Sequence, residues 1–300
     1  MPERPTPERP TPERPTPERP TPPLPVADRT LVMGVLNVTP DSFSDGGRFL
    51  DADAAIAHGL ALARDGADIV DVGGESTRPG AERVSPDEEV ARVLPVVTAL
   101  TARGVPVSID TMRAATAHAA VEAGACLIND VSGGLADALM PGVAASAGVD
   151  FVAMHWRAHS PHMDDLDHYD DVVAEVATEL AARVAALTAA GVAPDRIVLD
   201  PGLGFSKVTD SNWPLLARVE EWSGGRRVLV GASRKRFLGA AISREGHESP
   251  AAEHRDHATT AVTTLAAARG VWAVRVHDAR AARDAIAVVS AWQDAAKATR

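Results

Sequence analysis

One cysteine in 300 residues excludes a disulfide framework, because no pair can form within the chain. Long apolar runs are also missing. No stretch approaches the roughly 18 residues that a membrane span requires, and the first residues carry no basic-then-apolar leader pattern, so no membrane partner is expected and the cytoplasm is the expected location. An excess of positive charge is absent as well: 30 Lys plus Arg stand against 41 Asp plus Glu, giving a net charge of -11 and a pI near 5.4. Such a balance argues against the broad cationic surface of a nucleic-acid partner. Cys126 lies in the apolar run Cys126-Leu127-Ile128 and is expected to be a small core residue, neither nucleophile nor ligand. What remains, at 45% hydrophobic and 24% charged residues, is a globular chain long enough to bury a large core.

The first 22 residues repeat the unit Pro-Thr-Pro-Glu-Arg, and residues 1–25 hold 11 of the 22 prolines. Proline fixes φ and removes a donor, so residues 1–27 are expected to form a disordered, extended tail. Its four Glu and four Arg cancel, which leaves the whole net negative charge on residues 28–300. That body alternates eight apolar runs with helical segments. The runs are Leu31–Leu36, Asp68–Val72, Pro106–Ile109, Cys126–Ile128, Phe151–Met154, Ile197–Leu199, Val228–Val230 and Val271–Val276. Eight strand-helix units in this length predict an α/β fold of the (β/α)8 TIM-barrel type.

Helix signals lie between the runs. Ser85-Pro86-Asp87-Glu88 reads as a capping box, followed at helical spacing by Val90, Val93, Leu94, Val97 and Leu100, with Pro95 expected to kink or interrupt that helix. Residues 171–190 predict a second helix with a stripe of Val172, Val173, Val176, Leu180, Val184 and Leu187, closed by Gly191.

In such a barrel all strand C-terminal ends open on one face, so the polar segments that follow the runs converge there. Arg78, Lys207, Arg234, Lys235, Arg275 and His277 would gather at that mouth, which implies an anionic small ligand. Arg275 and His277, two apart at a strand end, point the same way and are placed to grip one phosphate group. Ser233 is expected to open a helix whose N–H groups would hold a second anion, a carboxylate or phosphate. Asp110, Asn129 and Asp200 end the third, fourth and sixth runs with no basic neighbour in sequence. Two carboxylates and an amide suit a planar ligand rich in N–H donors; a divalent-metal cage and ordinary helix caps are the alternatives. His155, His159, His162 and His168 are irregularly spaced and read as solvated loop residues. The loops 37–47 and 73–80, rich in Gly, Ser, Thr and Asp, are of the kind that closes over substrate.

Together Asn37-Val38-Thr39-Pro40-Asp41-Ser42-Phe43-Ser44-Asp45, Ser76-Thr77-Arg78-Pro79-Gly80, Asp200-Pro201-Gly202-Leu203-Gly204-Phe205, Ser233-Arg234-Lys235 and Arg275-Val276-His277 make residues 31–290 resemble the dihydropteroate synthase family of folate biosynthesis, the sulfonamide targets. The resemblance implies condensation of 6-hydroxymethyl-7,8-dihydropterin diphosphate with 4-aminobenzoate, assisted by Mg2+, in a homodimer. It further implies that Asp110, Asn129, Met154, Asp200 and Lys235 bind the pterin, and that Asn37, Arg275 and His277 hold the diphosphate, Asn37 through or beside Mg2+. Phe43, Thr77, Pro79, Phe205, Ser233 and Arg234 would form the aminobenzoate side, and Asp45, Thr77 and Arg78 would close over the reaction. One segment departs from the family: Met154-His155 leads into Trp156-Arg157-Ala158-His159 rather than a Gly-x-Pro loop. Two other readings stay in view. A catalytically silent pterin-binding paralogue would have no need of Thr77, Arg78 and Ser233 to Lys235, and a pterin-dependent methyltransferase would have no need of a diphosphate clamp.

Overall fold

The computed structural model of the chain describes residues 24–39, 47–75, 84–157, 167–207, 209–243 and 248–298. Eight parallel strands make its centre: β1 (Leu31–Asn37), β2 (Ile69–Gly73), β3 (Val107–Asp110), β4 (Leu127–Asp130), β5 (Asp150–Met154), β6 (Ile197–Asp200), β7 (Leu229–Val230) and β8 (Ala273–Val276). They pair in the order β6-β5-β4-β3-β2-β1-β8-β7. A bridge between Leu199 and Val228 then joins β6 to β7. The result is the closed (β/α)8 barrel that the alternating pattern predicts.

Most strands are offset from the expected runs by one or two residues, and at β2 the reason is local and polar. Asp68, expected to open β2, instead accepts two hydrogen bonds from Arg29 (2.8 and 2.7 Å) and one from the Val32 amide (2.8 Å). Its carboxylate thus staples the chain ahead of β1 to the base of β2, and the ladder starts at Ile69.

The helices are α1 (Gly47–Arg64), α2 (Pro86–Thr101), α3 (Ala114–Glu122), α4 (Met140–Ala147), α5 (Val172–Ala189), α6 (Asn212–Ala217), α7 (Val219–Ser223), α8 (Arg236–Ile242), α9 (Asp256–Ala268) and α10 (Ala279–Ala298). Ser85 caps α2 by accepting from the Glu88 amide at 3.2 Å. The box is only half closed, because the Glu88 carboxylate turns to Arg92. Contrary to expectation, α2 runs through Pro95. Pro95 and Ala91, whose carbonyl loses its partner, both lie on the exposed face, where solvent replaces the missing bond. The buried stripe of α2 is Glu89, Val93, Val96, Val97 and Leu100, so Val90 and Leu94 are only half-buried. Helix α5 follows the sequence closely, with Asp171 capping its first turn and Val173, Val176, Leu180 and Leu187 buried.

Strand alternation sorts the residues into two cores. Outward side chains such as Val70, Val72, Ile109, Ile128, Phe151 and Leu199 pack beneath the helices. Inward ones at the N-terminal end, Leu31, Met33, Ile69, Leu127, Val152, Val198, Leu229 and Ala273, fill the barrel floor, with Leu24 and Trp272 packed against them. Cys126 is buried as expected, its thiol on the Val107 carbonyl and pushed up to about 11 by burial.

Candidate active site

Above this apolar floor the same inward parity continues with polar residues. In register, Asp71 of β2 faces Ser108 of β3, and Asp110 faces Asn129 of β4. Met154 of β5 faces Asp200 of β6. Asn37 ends β1, and Arg275 and His277 lie at the end of β8 with the same parity as Ala273 of the floor. The expected acceptors therefore do share one mouth, because a strand period of two sends alternate residues inward from every strand end.

The electrostatic arrangement differs from the expected one. Arg275 donates through Nε to Asp71 Oδ2 (2.6 Å) and through Nη2 to Asp110 Oδ2 (2.6 Å). Asn129 Nδ2 donates to the same oxygen of Asp71 at 3.0 Å. Asp71, fully buried, was not singled out by sequence; its signal is a charge in the middle of the apolar strand Ile69-Val70-Asp71-Val72. Its second oxygen Oδ1 and the neighbouring Ser108 Oγ are buried and have no hydrogen-bond partner in the structure. Burial pushes the Asp110 carboxyl up to about 7 against the pull of Arg275 beside it. Asp200 is likewise raised by burial, opposed by Lys235, and its Oδ1 accepts from the Gly202 amide at 2.7 Å. Lys235 is held down to about 8 by burial, opposed by Asp200. Its ammonium donates to the Leu203 carbonyl and stands 4.7 Å from the centre of the Phe205 ring.

Ser233 does not open a helix: it sits in a turn, and α8 begins three residues later at Arg236. Its hydroxyl instead accepts from the His277 amide (3.2 Å) and meets the His277 ring at Nδ1 (2.9 Å). With the hydroxyl donating to Nδ1, the neutral ring carries its proton on Nε2. Arg234, in the left-handed region at φ 60°, turns to Asp256 on α9 through two bonds of 2.7 and 2.8 Å and so is not brought to the mouth residues. Lys207, expected at the mouth, is 3% exposed and faces His155. His155, expected to be solvated, is 1% exposed, in the packed interior directly after β5. His168 is exposed, as expected.

A second buried network supports the β2 and β3 ends. Glu89, in phase with the buried stripe of α2, accepts from Thr111 (2.7 Å), Arg113 (2.5 Å) and Thr116 (3.0 Å). Arg113 also pairs with Glu75 (2.6 Å) and donates to the Val84 carbonyl (2.6 Å). One guanidinium thereby fixes both residues that flank 76–83. Phe43, Asp45, Thr77, Arg78, Pro79, His159 and His162 lie outside the described residues.

Comparison with known proteins gives the chain its family. The family model described as pterin binding enzyme matches residues 33–277. Over 263 residues the chain is 52% identical to the dihydropteroate synthase of Mycobacterium leprae, covering 87% of this chain and 93% of that protein. The chain belongs to the dihydropteroate synthase family. Among solved dihydropteroate synthases, that of Xanthomonas albilineans with 4-aminobenzoic acid superposes with a TM-score of 0.81 at 45% identity, covering 89% of this chain and 94% of that one. The same synthase in complex with 7,8-dihydropteroate superposes at 0.78 and 42% identity, with the same coverage.

Proposed function

We propose that this chain joins 6-hydroxymethyl-7,8-dihydropterin diphosphate to 4-aminobenzoate, giving 7,8-dihydropteroate and diphosphate. The observation that carries this reading is the set of inward acceptors Asp110, Asn129 and Asp200, on three strands of one barrel mouth, with Lys235 beside Asp200. A carboxylate accepts two parallel N–H bonds, and an amide both gives and accepts, which suits the donor-rich edge of a pterin. Lys235 would donate to the carbonyl side of that ring, and the buried Met154 would pack on its face. Phe205 and Ser233 are assigned to the aminobenzoate side.

Arg275 and His277 are assigned to the diphosphate. Two of the five guanidinium donors of Arg275 are used by Asp71 and Asp110, and His277 is oriented by Ser233. The aromatic amine needs no prior deprotonation. The carbon–oxygen bond to diphosphate breaks first, its electron pair leaving with the diphosphate; the amine lone pair then forms the new bond to the pterin methylene, and the anilinium proton passes to water. Departure of diphosphate is the harder event, so the cationic groups act by stabilising developing charge rather than by moving protons. The dihydropterin spreads the positive charge left on its methylene, which favours a cation-like route with pterin diphosphate bound before the amine.

Mg2+ belongs to the same reading. It retains most of its shell for water and phosphate oxygens, which suits a mouth where, among the described residues, no group of three His, Cys, Asp or Glu is placed to hold an ion. The amide oxygen of Asn37, at the end of β1, would hold the ion beside the diphosphate, and the ion would neutralise charge on the leaving group. A homodimer is supported by Leu265 on α9 and by Val288 and Trp292 on α10, which are 65%, 65% and 78% exposed on two helices packed together. A cytoplasmic location rests on composition, a lone reduced cysteine.

The test is product formation. Dihydropteroate detected by mass should require both substrates and Mg2+, and Asp200→Asn should weaken binding of the pterin diphosphate by at least about tenfold. Diphosphate release without dihydropteroate, or unchanged affinity in D200N, would overturn the reading.

A further inference from the structure

The segment after β6 adopts a costly backbone. Gly202 and Gly204 have φ of 66° and 72°, and Ser206, with a side chain, sits at 48°. A Cβ at Gly202 would collide with the His155 carbonyl. Such a turn persists only where its surroundings hold it, and Lys207 supplies the hold. Its ammonium donates to three acceptors, His155 Nδ1 (2.9 Å), the Gly202 carbonyl (3.2 Å) and the Phe205 carbonyl (3.0 Å). The chain of contacts continues outward: His155 Nε2 lies 2.9 Å from Glu179 Oε2 on α5, and Arg157 donates to Glu179 and Glu175 while its guanidinium lies 4.0 Å from the Tyr169 ring. The Tyr169 hydroxyl donates to the Ser206 carbonyl at 2.9 Å, binding the strained residue itself.

A buried lysine that bonds no carboxylate among the described residues is an expensive way to close a turn. Burial holds Lys207 down to about 7, and the neutral ring of His155, held down to about 4, presents the Nδ1 lone pair that Lys207 needs. What the arrangement secures is the placement of Phe205, two residues earlier, whose carbonyl Lys207 holds and whose ring centre lies 4.7 Å from the Lys235 ammonium.

We propose that Lys207, braced by His155 and Glu179, is a positioning residue that sets Phe205 for the aminobenzoate ring by closing the Gly202–Lys207 turn from within. The inference rests on the assignment of Phe205 to the aminobenzoate side made above. Asp110 and Asn129 belong to strands outside this turn, and Asp200 ends β6 and touches it through the Gly202 amide alone among the turn's described bonds, so loss of the ammonium should loosen the aminobenzoate side more than the pterin side.

The experiment uses the full chain and three variants, Lys207→Met, Glu179→Ala and Phe205→Ala. KM for 4-aminobenzoate and the calorimetric Kd for dihydropterin diphosphate are measured for each. K207M should raise that KM by at least about tenfold, with Kd changed by less than about threefold. E179A, at a half-exposed position, should raise the KM in the same direction by about threefold. A folded K207M with unchanged KM overturns the positioning role; should K207M fail to fold, an unchanged KM in E179A does so. An unchanged KM in F205A removes Phe205 from the aminobenzoate side, and the inference falls with it. A raised KM in F205A beside an unchanged one in K207M leaves the site assignment standing and overturns the role of Lys207 alone.

Discussion

At the scale of single residues the mouth is a balance between desolvation and pairing. Asp110 is the clearest case: burial raises its carboxyl to about 7 although Arg275 donates to it at 2.6 Å. A carboxyl with a raised value is neutral below it and charged above it, so its capacity to accept two N–H bonds is lost as pH falls through about 7. Affinity for dihydropterin diphosphate should therefore drop as pH is lowered from ~8.5 to ~6, approaching about tenfold per unit at the acid end, and Asp110→Asn should bind weakly with that component removed. Calorimetry across this range in both proteins checks it, and parallel pH profiles would exclude Asp110 as the titrating acceptor. Inward acceptors were legible from sequence as polar residues ending apolar runs. Their partners were not, since Arg275 and Asp71 are 204 positions apart and meet only because β8 and β2 both flank β1.

At the scale of elements, short turns decide what the strand ends present. Gly202 illustrates the demand: its positive φ and the His155 carbonyl behind it leave no room for a side chain. Gly202→Ala should destabilise the fold by about 2–4 kcal/mol, read as a lower urea midpoint at unchanged slope. A midpoint within error of the parent would show that the turn yields at little cost. Asp130 does comparable work after β4, accepting from Ser132 and Gly134. Helix α2 was legible in its cap and in part of its stripe, but the buried Glu89 was not, because a carboxylate in phase with valines reads as an exposed residue until Thr111, Arg113 and Thr116 are brought to it. Ser233 misled for the opposite reason: its position after β7 resembles a helix cap, yet the turn gives its hydroxyl to His277 first.

For the whole molecule, the two ends of the barrel have separate tasks. The floor is apolar and is sealed by Leu24 and Trp272, while the polar layer opens at the opposite end. Leu24, the first described residue, lies on the face away from the mouth. A chain begun at Leu24 should accordingly keep kcat/KM within about twofold of the full chain and elute at the mass of a dimer by light scattering. A large loss of activity would give the proline-rich segment a part in catalysis, and a monomer would place the contact there rather than on α9 and α10.

The amino-acid sequence alone determined the eightfold alternation of strand and helix, the parity that turns Asp110, Asn129, Met154, Asp200 and Arg275 inward, and the family likeness of the segments at the strand ends. These follow from periods of two and 3.6 and from local turn chemistry, which act over a few residues. The tertiary structure alone decided that Arg275 is shared between Asp71 and Asp110, that Lys207 is a buried brace rather than a mouth residue and His155 its buried partner rather than a solvated one, and that Arg113 holds both Glu75 and Val84. Each of these is a choice of partner by a buried charge. Burial and distance set that choice, and neither exists until barrel closure brings distant strand ends to one mouth.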